Sequence, residues 1–284
     1  MSQTLTDIKA LLASYGLRPK HRLGQNFLHD GNQMGRIVEA AAIGPNEVVL
    51  EIGAGTAALS ERLLDAGARL VAVEVDRDLE PILQQRLAPY GRRAVLLIDD
   101  VLAGKHRINP RVFDALSRLT DKADAPATKL PPFKVVANLP YHVASPLIAN
   151  LVSDWPSMSL AVVMLQREVA ERLTAEPGCK AYGPLGVLVQ AMCHVEKIAA
   201  LAPWCFWPPP KVESQVIRLR RRDVPLTSDP ARLSRTLQRL FQQRRKQLGA
   251  ILGRSRPLPA DIDPALRPER LSVEQLVRLS DASV

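Results

Sequence analysis

The sequence predicts an α/β protein with a mostly parallel β-sheet, followed by a small helical domain. Between residues 48 and 165, short apolar runs of four to six residues alternate with stretches of helical periodicity. Such alternation is typical of parallel strands joined by helices that cover both faces of a sheet. The composition agrees, because 46% of the 284 residues are hydrophobic and 24% are charged, as in ordinary globular domains.

The elements of the sheet follow in chain order. A Gly-Pro pair at residues 44 and 45 precedes the first apolar run, and these two residue types commonly mark such boundaries. Strands are predicted over residues 48–52, 70–75, 94–98, 134–137 and 160–165. Helices are predicted over residues 57–66, 78–87 and 145–152. The repeated order of strand and helix favours one continuous sheet.

Two segments interrupt this order. Residues 116–132 mix Lys, Asp, Ala and Pro, which predicts a surface insertion. The second interruption follows the strand-like run that ends near residue 222, where prolines appear. We place a domain boundary there, between residues 1–223 and residues 224–284. In the second part leucines recur at helical spacing, which predicts a small helical domain; they are Leu233, Leu237, Leu240 and Leu248.

The surplus of basic side chains points to a polyanionic partner. Lys and Arg number 38 and Asp and Glu number 29, which gives a net charge of +9. Nucleic acid and an anionic membrane surface both fit this balance, and so does a solvated basic surface. The chain has no uninterrupted run of 18 apolar residues, which argues against a membrane span.

The cysteines and the first twenty residues bear on metal content and compartment. Cys179, Cys193 and Cys205 lie far apart and form no CxxC pair, so neither a zinc site nor a disulfide framework is predicted. The N-terminal segment lacks the apolar core of a secretory signal and contains Asp7. We therefore expect a soluble, cytoplasmic protein with no metal and no membrane attachment.

A glycine loop follows the first strand, in the segment V-V-L-E-I-G-A-G-T-A-A-L. Gly53 and Gly55 allow a ligand to approach the backbone closely at the start of a helix. The spacing G-x-G-x-x-[GA], with Glu74 about 20 residues further on, also satisfies the dinucleotide fingerprint of a dehydrogenase. A tight turn without a ligand is the third interpretation.

Two acidic residues favour S-adenosylmethionine as the ligand of this loop. Glu51 can organise the glycine loop or accept hydrogen bonds near the amino-acid end of the cofactor, and Glu74 can accept from both ribose hydroxyls. Asp76 is the alternative ribose ligand. Asp100 can accept from the adenine amino group, with its neighbour Asp99 as the alternative. Each of these acids also fits a helix cap or a turn.

The strand over 134–137 leads into Asn138-Leu139-Pro140-Tyr141, at the sheet edge where open α/β folds place their sites. An exocyclic adenine amine is a poor nucleophile, because its lone pair is delocalised into the ring. The side-chain oxygen of Asn138 and the carbonyl of Leu139 can each accept one N6–H. Pro140 fixes the turn, and Tyr141 can stack on the base. The segment therefore predicts the catalytic loop of an adenine methyltransferase, although a surface turn with a packed Tyr has the same pattern.

Basic residues concentrate around the domain boundary. Residues 218–256 contain twelve Lys or Arg and only two acids, which predicts contacts with RNA phosphates, although arginines commonly lie on a solvated helix face. The predicted RNA contacts are Arg221, Arg222, Arg244, Arg245 and Lys246. His142, Phe206 and Trp207 can shape a mouth for an extruded adenine, and the last two fit core positions equally well.

Ten ordered segments carry a family resemblance over nearly the whole chain. They are G-Q-N-F-L, E-I-G-A-G, V-E-V-D-R-D-L, D-V-L, N-L-P-Y, Q-R-E-V-A-E-R-L, A-Y-G-P-L, F-W-P-P-P-K-V-E-S, F-Q-Q-R-R-K and R-L-S-V-E-Q-L. With them the chain resembles the adenine N6,N6-dimethyltransferases of small-subunit ribosomal RNA, the dimethyladenosine transferases. The related erythromycin-resistance methylases act on large-subunit RNA, but N-L-P-Y and F-x-P-P-P-K-V-x-S are more similar to the small-subunit branch.

The resemblance implies a Rossmann-like fold that binds S-adenosylmethionine, with a small helical C-terminal domain. It implies methyl transfer to N6 of two adjacent adenosines in the 3′-terminal hairpin of small-subunit (16S) rRNA. The implied partner is the pre-30S ribosomal subunit, the implied role is ribosome biogenesis, and a monomer is expected. The implied cofactor contacts are Asn26, Leu28, Gly53, Glu74, Asp100 and Asn138.

The family resemblance assigns a role to one further segment, and the sequence departs from the family pattern at two places. By similarity, Asn26 and Leu28 lie in a segment that closes over the cofactor, whereas the residues alone predict an N-terminal cap packed by Phe27. Ala57 stands where the family has a third glycine, which fits if this position is already helical and needs no positive φ. The interval between Asp100 and Asn138 is longer than expected, and the insertion near 118–132 accounts for the excess.

Overall fold

The computed structural model of the chain describes residues 3–104, 107–119, 130–253 and 258–282. The strands are β1 Phe27–Leu28, β2 Val48–Ile52, β3 Arg69–Glu74, β4 Ala94–Ile98, β5 Phe133–Asn138, β6 Met158–Gln166, β7 Cys193–Leu201, β8 Phe206–Trp207 and β9 Ser214–Arg221. The helices are α1 Leu5–Ser14, α2 Gly31–Ala41, α3 Ala58–Asp65, α4 Glu80–Leu87, α5 Pro110–Leu119, α6 Tyr141–Asp154, α7 Arg167–Leu173, α8 Pro184–Met192, α9 Pro230–Gln242, α10 Leu248–Leu252 and α11 Val273–Asp281.

Within the described residues, seven strands form one sheet in the order β4-β3-β2-β5-β6-β9-β7. The strands β4, β3, β2, β5 and β6 run parallel to one another, whereas β9 pairs antiparallel with both β6 and β7. The strands β1 and β8 form a separate antiparallel pair. The chain moves outward from β2 to β3 and β4, and later returns to place β5 on the other side of β2. Ligands bind at such a switch point in open α/β sheets.

Alternate residues of each strand face two separate layers of helices, because side chains alternate along a strand. In β2, Val48 and Leu50 belong to the hydrophobic cluster that contains residues of helices α5 to α11. Val49 belongs to the other cluster, with residues of helices α1 to α4. This alternation places Glu51 on the same face as Val49. The predicted α/β fold with helices on both faces of the sheet is confirmed.

The predicted strands and helices are present, with one informative difference at α6. This helix begins at Tyr141, four residues before the predicted start. Pro146 caused the error, because proline normally occupies the first turn of a helix. Here it lies inside the helix. The catalytic loop predicted at residues 138–141 is therefore shorter than expected: Asn138 ends β5 and Tyr141 begins α6, with only two residues between them.

The helices after residue 223 pack on the same core as the sheet. Leu233 and Leu237 of α9 and Leu276 of α11 are fully buried and belong to one cluster with the α5–α11 face of the strands. The predicted helical region is present, and the boundary between residues 223 and 224 stays a prediction. The predicted insertion needs a correction at its start, because Leu116 and Leu119 are buried residues of α5. Residues 120–129 of the insertion lie outside the described residues.

Two absences can be stated for the described part of the chain. No helix there is long and apolar enough to cross a membrane. Nor do those residues contain a group of three or more His, Cys, Asp or Glu side chains that could hold a metal ion.

Candidate active site

A cavity opens at the carboxyl edge of the parallel strands, between β2 and its neighbours. It is lined by the end of β3, by the loop after β4, by the glycine loop after β2, by the junction of β5 and α6, and by the segment before α2. Every predicted cofactor-binding and catalytic residue lines this cavity; they are Asn26, Leu28, Gly53, Gly55, Glu74, Asp100, Asn138, Leu139, Pro140 and Tyr141. The structure thus brings together residues that lie up to 115 positions apart in the sequence.

The glycine loop is held between two other segments of the site. Gly53 has a φ of +80°, and a Cβ at this position would lie 3.5 Å from the backbone oxygen of Asn138. Gly55 has a φ of +58°, and a Cβ there would lie 3.2 Å from the ring of Phe27. Both positions favour glycine, because other residues rarely adopt this backbone conformation, and at Gly55 a side chain would also crowd the ring of Phe27.

Ala57 corrects one expectation from the sequence. It lies immediately before α3 with φ 67° and ψ 13°, in the left-handed region, so this position is not helical and does require a positive φ. Its side chain is completely buried. An L-residue in this conformation costs roughly 1–2 kcal/mol. The chain therefore tolerates strain at the position where the family pattern has glycine.

Glu74 lines the cavity at the end of β3, and it organises the backbone around it. The carboxylate accepts hydrogen bonds from the amide of Gly55 to Oε2 and from the amide of Asp76 to Oε1, both at 2.9 Å. Only 5% of Glu74 is exposed. Burial raises the pKa of Glu74, and hydrogen bonds from backbone amides, led by those of Asp76 and Gly55, only partly oppose the shift. Each carboxylate oxygen keeps a second lone pair for a further donor.

Asp76, the alternative ribose ligand, has other partners. Its carboxylate accepts from Lys20 Nζ at 2.5 Å and from Gln25 Nε2 at 2.7 Å. Lys20 Nζ also lies 2.5 Å from Asp78. The side-chain oxygen of Gln25 accepts from the amide of Lys20 at 2.8 Å. Asp76 is thus occupied in fixing the N-terminal segment, and it does not line the cavity.

Glu51 lies on the α1–α4 face of β2, where α3 covers it. Its Oε2 accepts from the hydroxyl of Ser60 at 2.5 Å, and 1% of the residue is exposed. Burial raises the pKa of Glu51 to about 8, and the charge of Glu74 adds to the shift, whereas the Ser60 hydrogen bond opposes it. A neutral carboxylic acid therefore lines the cavity at pH 7.

Asp99 and Asp100 both line the cavity, with different partners. The carboxylate of Asp99 pairs with Arg111 Nη1 at 2.6 Å and accepts from the amide of Asp100 at 2.9 Å. Burial by itself would raise the pKa of Asp99, but the hydrogen bonds, led by that of Arg111, lower it. Asp100 accepts from the amide of Leu102 at 2.9 Å through Oδ1. These contacts favour Asp100 over Asp99 as the adenine partner.

Asn138 ends β5 with its amide fixed by a second segment of the site. Its Nδ2 donates to the backbone carbonyl of Asn26 at 3.0 Å, and the Nδ2 of Asn26 donates to the carbonyl of Gly24 at 3.1 Å. This hydrogen bond fixes the orientation of the Asn138 amide, and the side chain lines the cavity. Leu139 follows, 1% exposed, with its amide bonded to the carbonyl of Met164 at 3.3 Å.

Tyr141 is held through its hydroxyl. Its ring lines the cavity, and its hydroxyl forms a hydrogen bond of 2.8 Å with the hydroxyl of Ser214. Burial raises the pKa of Tyr141, and the Ser214 hydrogen bond opposes this only in part. Ser214 is 2% exposed at the start of β9. The position of the ring is thus fixed by the strand that borders β6.

The structure adds three residues that sequence reasoning did not assign to the site. Val75, next to the ribose acid, is 43% exposed and lines the cavity, so it offers an apolar surface of the kind an adenine ring packs on. Phe27 lies against Gly55, and Gln25 bridges Lys20 and Asp76. The apolar residue after Glu74 was a usable signal for Val75, whereas the other contacts are long-range.

The aromatic residues proposed to shape the mouth of the cavity have different surroundings. Phe206 is buried, 2% exposed, and pairs with Leu28 between the short strands. Trp207 stacks on Phe27 with ring centroids 6.5 Å apart. Of the two alternatives, the core position fits Phe206. The side chain of His142 lies outside the described residues.

The predicted RNA contacts differ in their surroundings. Arg221 is corrected to a structural role: its guanidinium donates to the carbonyls of residues 151, 152, 155 and 158, at 2.9–3.2 Å, and thus caps the end of α6. Arg222 donates from Nε to the carbonyl of Gln190 at 2.9 Å. Arg244 pairs with Glu269 at 2.7 Å. Arg245 and Lys246 are exposed.

Comparisons with known proteins agree on one family. The family described as ribosomal RNA adenine dimethylase matches residues 16–280. A relative from Mycobacterium tuberculosis, described as ribosomal RNA small subunit methyltransferase A, is 38% identical over 288 residues, which cover 96% of this chain and 86% of the relative. A relative of the same description from Nocardia farcinica is 39% identical over 287 residues, covering 96% and 93% of the two chains.

Two solved structures share the fold. The crystal structure of a dimethyladenosine transferase from Plasmodium falciparum has a TM-score of 0.71 at 24% identity, covering 89% of this chain and 95% of the other. The 23S rRNA methyltransferase ErmE has a TM-score of 0.65 at 24% identity, covering 90% and 99%. At this identity the likeness supports the Rossmann-like methyltransferase fold.

Proposed function

Because the chain belongs to the ribosomal RNA adenine dimethylase family, we propose that it methylates N6 of two adjacent adenosines in the 3′-terminal hairpin of small-subunit (16S) rRNA. The chain is an rRNA adenine dimethyltransferase of the S-adenosylmethionine-dependent class. The nicotinamide dehydrogenase that the glycine loop also allowed is therefore rejected. The position of the two adenosines and the subunit they belong to are the proposed part.

One observation carries the proposal. Asn138, with its amide fixed by the carbonyl of Asn26 at 3.0 Å, shares a cavity with the buried carboxylate of Glu74. An acceptor suited to an amine and an acceptor suited to a ribose thus lie in one enclosure.

The residues of the cavity fit S-adenosylmethionine. We assign the ribose to Glu74, the adenine to Val75 and Asp100, and the amino-acid end to the region of Glu51, with Gly53 and Gly55 leaving room beside the backbone. The unused lone pairs of the Glu74 carboxylate suit a diol, because a diol presents two donors. When bound, this cofactor supplies an electrophilic methyl group on a sulfonium.

The catalytic loop orients the amine of the target base. We assign one N6–H to the oxygen of Asn138 and the other to the carbonyl of Leu139, so that the nitrogen lone pair is directed toward the methyl donor. Pro140 fixes the turn, and the ring of Tyr141 holds the base plane. Orientation of this kind replaces the need for a strong base and lowers the entropic cost of the reaction.

We assign the RNA partner to the pre-30S ribosomal subunit, bound in the cytoplasm by a monomer of this chain. The turn after α9 carries the phosphate contacts in this proposal, with Arg245 and Lys246 exposed there. Arg244 contributes a contact only if phosphate displaces Glu269, its partner at 2.7 Å. For Arg222 the contact remains a prediction.

Incubation with small ribosomal subunits that lack the modification tests the proposal. With labelled S-adenosylmethionine, mass spectrometry of the RNA should find dimethyladenosine at two adjacent positions in the 3′-terminal hairpin. Label found only in large-subunit RNA would refute the substrate assignment.

The cofactor assignment has its own test by calorimetry. Glu74→Ala should weaken binding of S-adenosylmethionine at least tenfold, since each charge-assisted hydrogen bond contributes roughly 1.5–3 kcal/mol. Asp223→Ala removes an exposed carboxylate that does not line the cavity and should leave the affinity within about threefold, or 0.7 kcal/mol. An unchanged affinity in Glu74→Ala would remove that residue from the ribose site.

A further inference from the structure

A basic segment precedes the cavity-lining residues at the N-terminal side. The sequence L-R-P-K-H-R-L occupies residues 17–23 and contains Arg18, Lys20 and Arg22. Arg18 and Arg22 are exposed, and in the described part of the chain neither forms a hydrogen bond or ion pair of the kind that Lys20 forms. Leu23, the next residue, lines the cavity. Within the described residues, these two unpaired guanidinium groups therefore belong to the segment that leads directly into the wall of the cavity.

Lys20 anchors this segment and neutralises the acids beneath it. Its ammonium lies 2.5 Å from carboxylate oxygens of both Asp76 and Asp78, and Gln25 adds hydrogen bonds to Asp76 and to the backbone of Lys20. Asp76 is 5% exposed. The positive charges of Arg18 and Arg22 are consequently held on a fixed backbone, without an acidic partner among these residues.

The segment also lies close to the position of the reaction. Arg22 lies four positions before Asn26, and the carbonyl of Asn26 accepts from the catalytic Asn138 at 3.0 Å. Since a chain extends at most ~3.6 Å per residue, the Cα atoms of Arg22 and Asn26 lie within about 14 Å of one another. A nucleotide strand that inserts one base beside Asn138 must pass its neighbouring phosphates over this region.

We propose that Arg18 and Arg22 bind phosphates of the RNA strand on either side of the target adenosine, as a contact surface separate from the turn at residues 244–246. The proposal rests on the proposed function, because it takes the inserted base to be an adenosine of rRNA. Arginine suits this role, since its planar guanidinium binds phosphate through two parallel hydrogen bonds. The two surfaces together hold the strand at the cavity and at the helical region.

A salt titration with matched variants tests the surface. The binding probe is the small ribosomal subunit that lacks the two modifications, with affinity measured at several KCl concentrations. Arg18→Gln/Arg22→Gln should weaken binding and reduce the slope of log K against log salt by roughly 1.4, which is 0.7 for each of two single-strand phosphate contacts. Arg18→Lys/Arg22→Lys keeps both charges and should restore the slope.

The control pair removes two positive charges away from the carboxyl ends of the strands, where the cavity opens. Arg92 precedes β4 and Arg118 lies in the last turn of α5, and both are exposed. Arg92→Gln/Arg118→Gln should leave the slope unchanged. Calorimetry should give every variant the cofactor affinity of the unmodified protein, which separates loss of RNA contact from misfolding.

The outcomes distinguish this surface from the proposed function. The proposed surface is refuted if the glutamine double variant has the salt slope of the unmodified protein. It is also refuted if the control pair reduces the slope by as much as the glutamine double variant does. In both cases the methyltransferase assignment is unaffected. Phosphatidylserine vesicles provide a second polyanion, and a charge-dependent loss confined to vesicles would also refute it. If the unmodified protein neither binds nor methylates the subunits, the substrate assignment fails and this surface fails with it.

Discussion

Cofactor binding should release a proton from Glu51. In the free protein, burial raises the pKa of this carboxyl to about 8, and the single hydrogen bond from Ser60 at 2.5 Å does not offset the lost solvation. S-adenosylmethionine brings positive charge into the cavity that Glu51 lines. A nearby positive charge favours the ionised carboxylate and lowers its pKa. Binding near pH 7 is therefore expected to convert the neutral acid into its anion.

The size of the release follows from the pKa. With a pKa of about 8, about 0.9 of the Glu51 carboxyls are protonated at pH 7 in the free protein. Complete ionisation on binding releases the same ~0.9 proton per cofactor. Burial also raises the pKa of Glu74, which lines the same cavity, so a variant of each acid is needed to isolate the proton released by Glu51.

Calorimetry in two buffers of very different ionisation enthalpy measures the proton count. The observed binding enthalpy should depend on the buffer in the unmodified protein at pH 7, and Glu51→Gln should reduce this dependence by the share of Glu51. Glu74→Gln is the matched variant at the other buried acid of the cavity, and it should leave the proton count of Glu51 in place. Buffer-independent enthalpy in the unmodified protein, or an unchanged proton count in Glu51→Gln, would refute the placement of cationic charge beside Glu51.

The same carboxyl gives the free protein a pH-dependent stability. Glu51 has a folded pKa above its unfolded value, so between pH 4.5 and about 8 the folded state binds more protons than the unfolded state. The stability contributed by Glu51 is complete below the unfolded pKa and is lost as the pH rises through the folded pKa, by at most ~1.4 kcal/mol per pH unit. When the pH is raised from 5 to 8, the free energy of unfolding of the unmodified protein should therefore fall relative to that of Glu51→Gln.

Three further predictions concern the catalytic loop and the glycine loop. Asn138→Ala should slow single-turnover methylation at saturating cofactor on the order of 10² or more, because an oriented acceptor is lost, and near-normal dimethylation would show that another group activates the amine. Tyr141→Phe loses the hydrogen bond to Ser214, so its free energy of unfolding should fall by roughly 0.5–1.5 kcal/mol while most activity is retained. Ser214→Ala should behave in the same way. Tyr141→Ala should be severely impaired in the same rate assay. Ala57→Val places a β-branched residue at φ 67° and should lower the melting temperature by several degrees, since each kcal/mol corresponds to roughly 2–4 °C; Ala57→Gly should fold and bind cofactor, and equal melting of both variants would contradict the strain argument.

The sequence predicted what lies at the ends of strands. Glu74, Asn138 and the glycines follow apolar runs, and parallel strands bring their carboxyl ends to one edge, so local pattern was enough to place them together. The roles of Asn26 and Leu28 came only from the resemblance, because neither precedes nor follows a strand of the main sheet. Ala57 was misjudged, since residue type does not report a backbone φ that tertiary contacts impose.

Residue type alone did not predict which side chains each acidic residue contacts. Asp76 and Glu74 are two positions apart on the same strand end, yet one binds Lys20 and Gln25 and the other lines the cavity. The choice depends on a segment more than fifty positions earlier, which a local pattern does not contain. An acidic residue at a strand end is therefore a candidate ligand-binding residue only if no other side chain of the protein already pairs with its carboxylate.

The basic run at 218–256 shows the same limit with consequences for RNA binding. Twelve Lys and Arg suggest one continuous phosphate surface, but Arg221 caps α6 through four carbonyls and Arg244 pairs with Glu269. A guanidinium engaged inside the fold releases no counterion from RNA. Because the salt slope counts only the phosphates that are neutralised, the contribution of this run to the slope should be well below the value for twelve contacts. If the measured slope exceeds what the exposed cations of this run can supply, the difference is the share expected from the segment that contains Arg18 and Arg22.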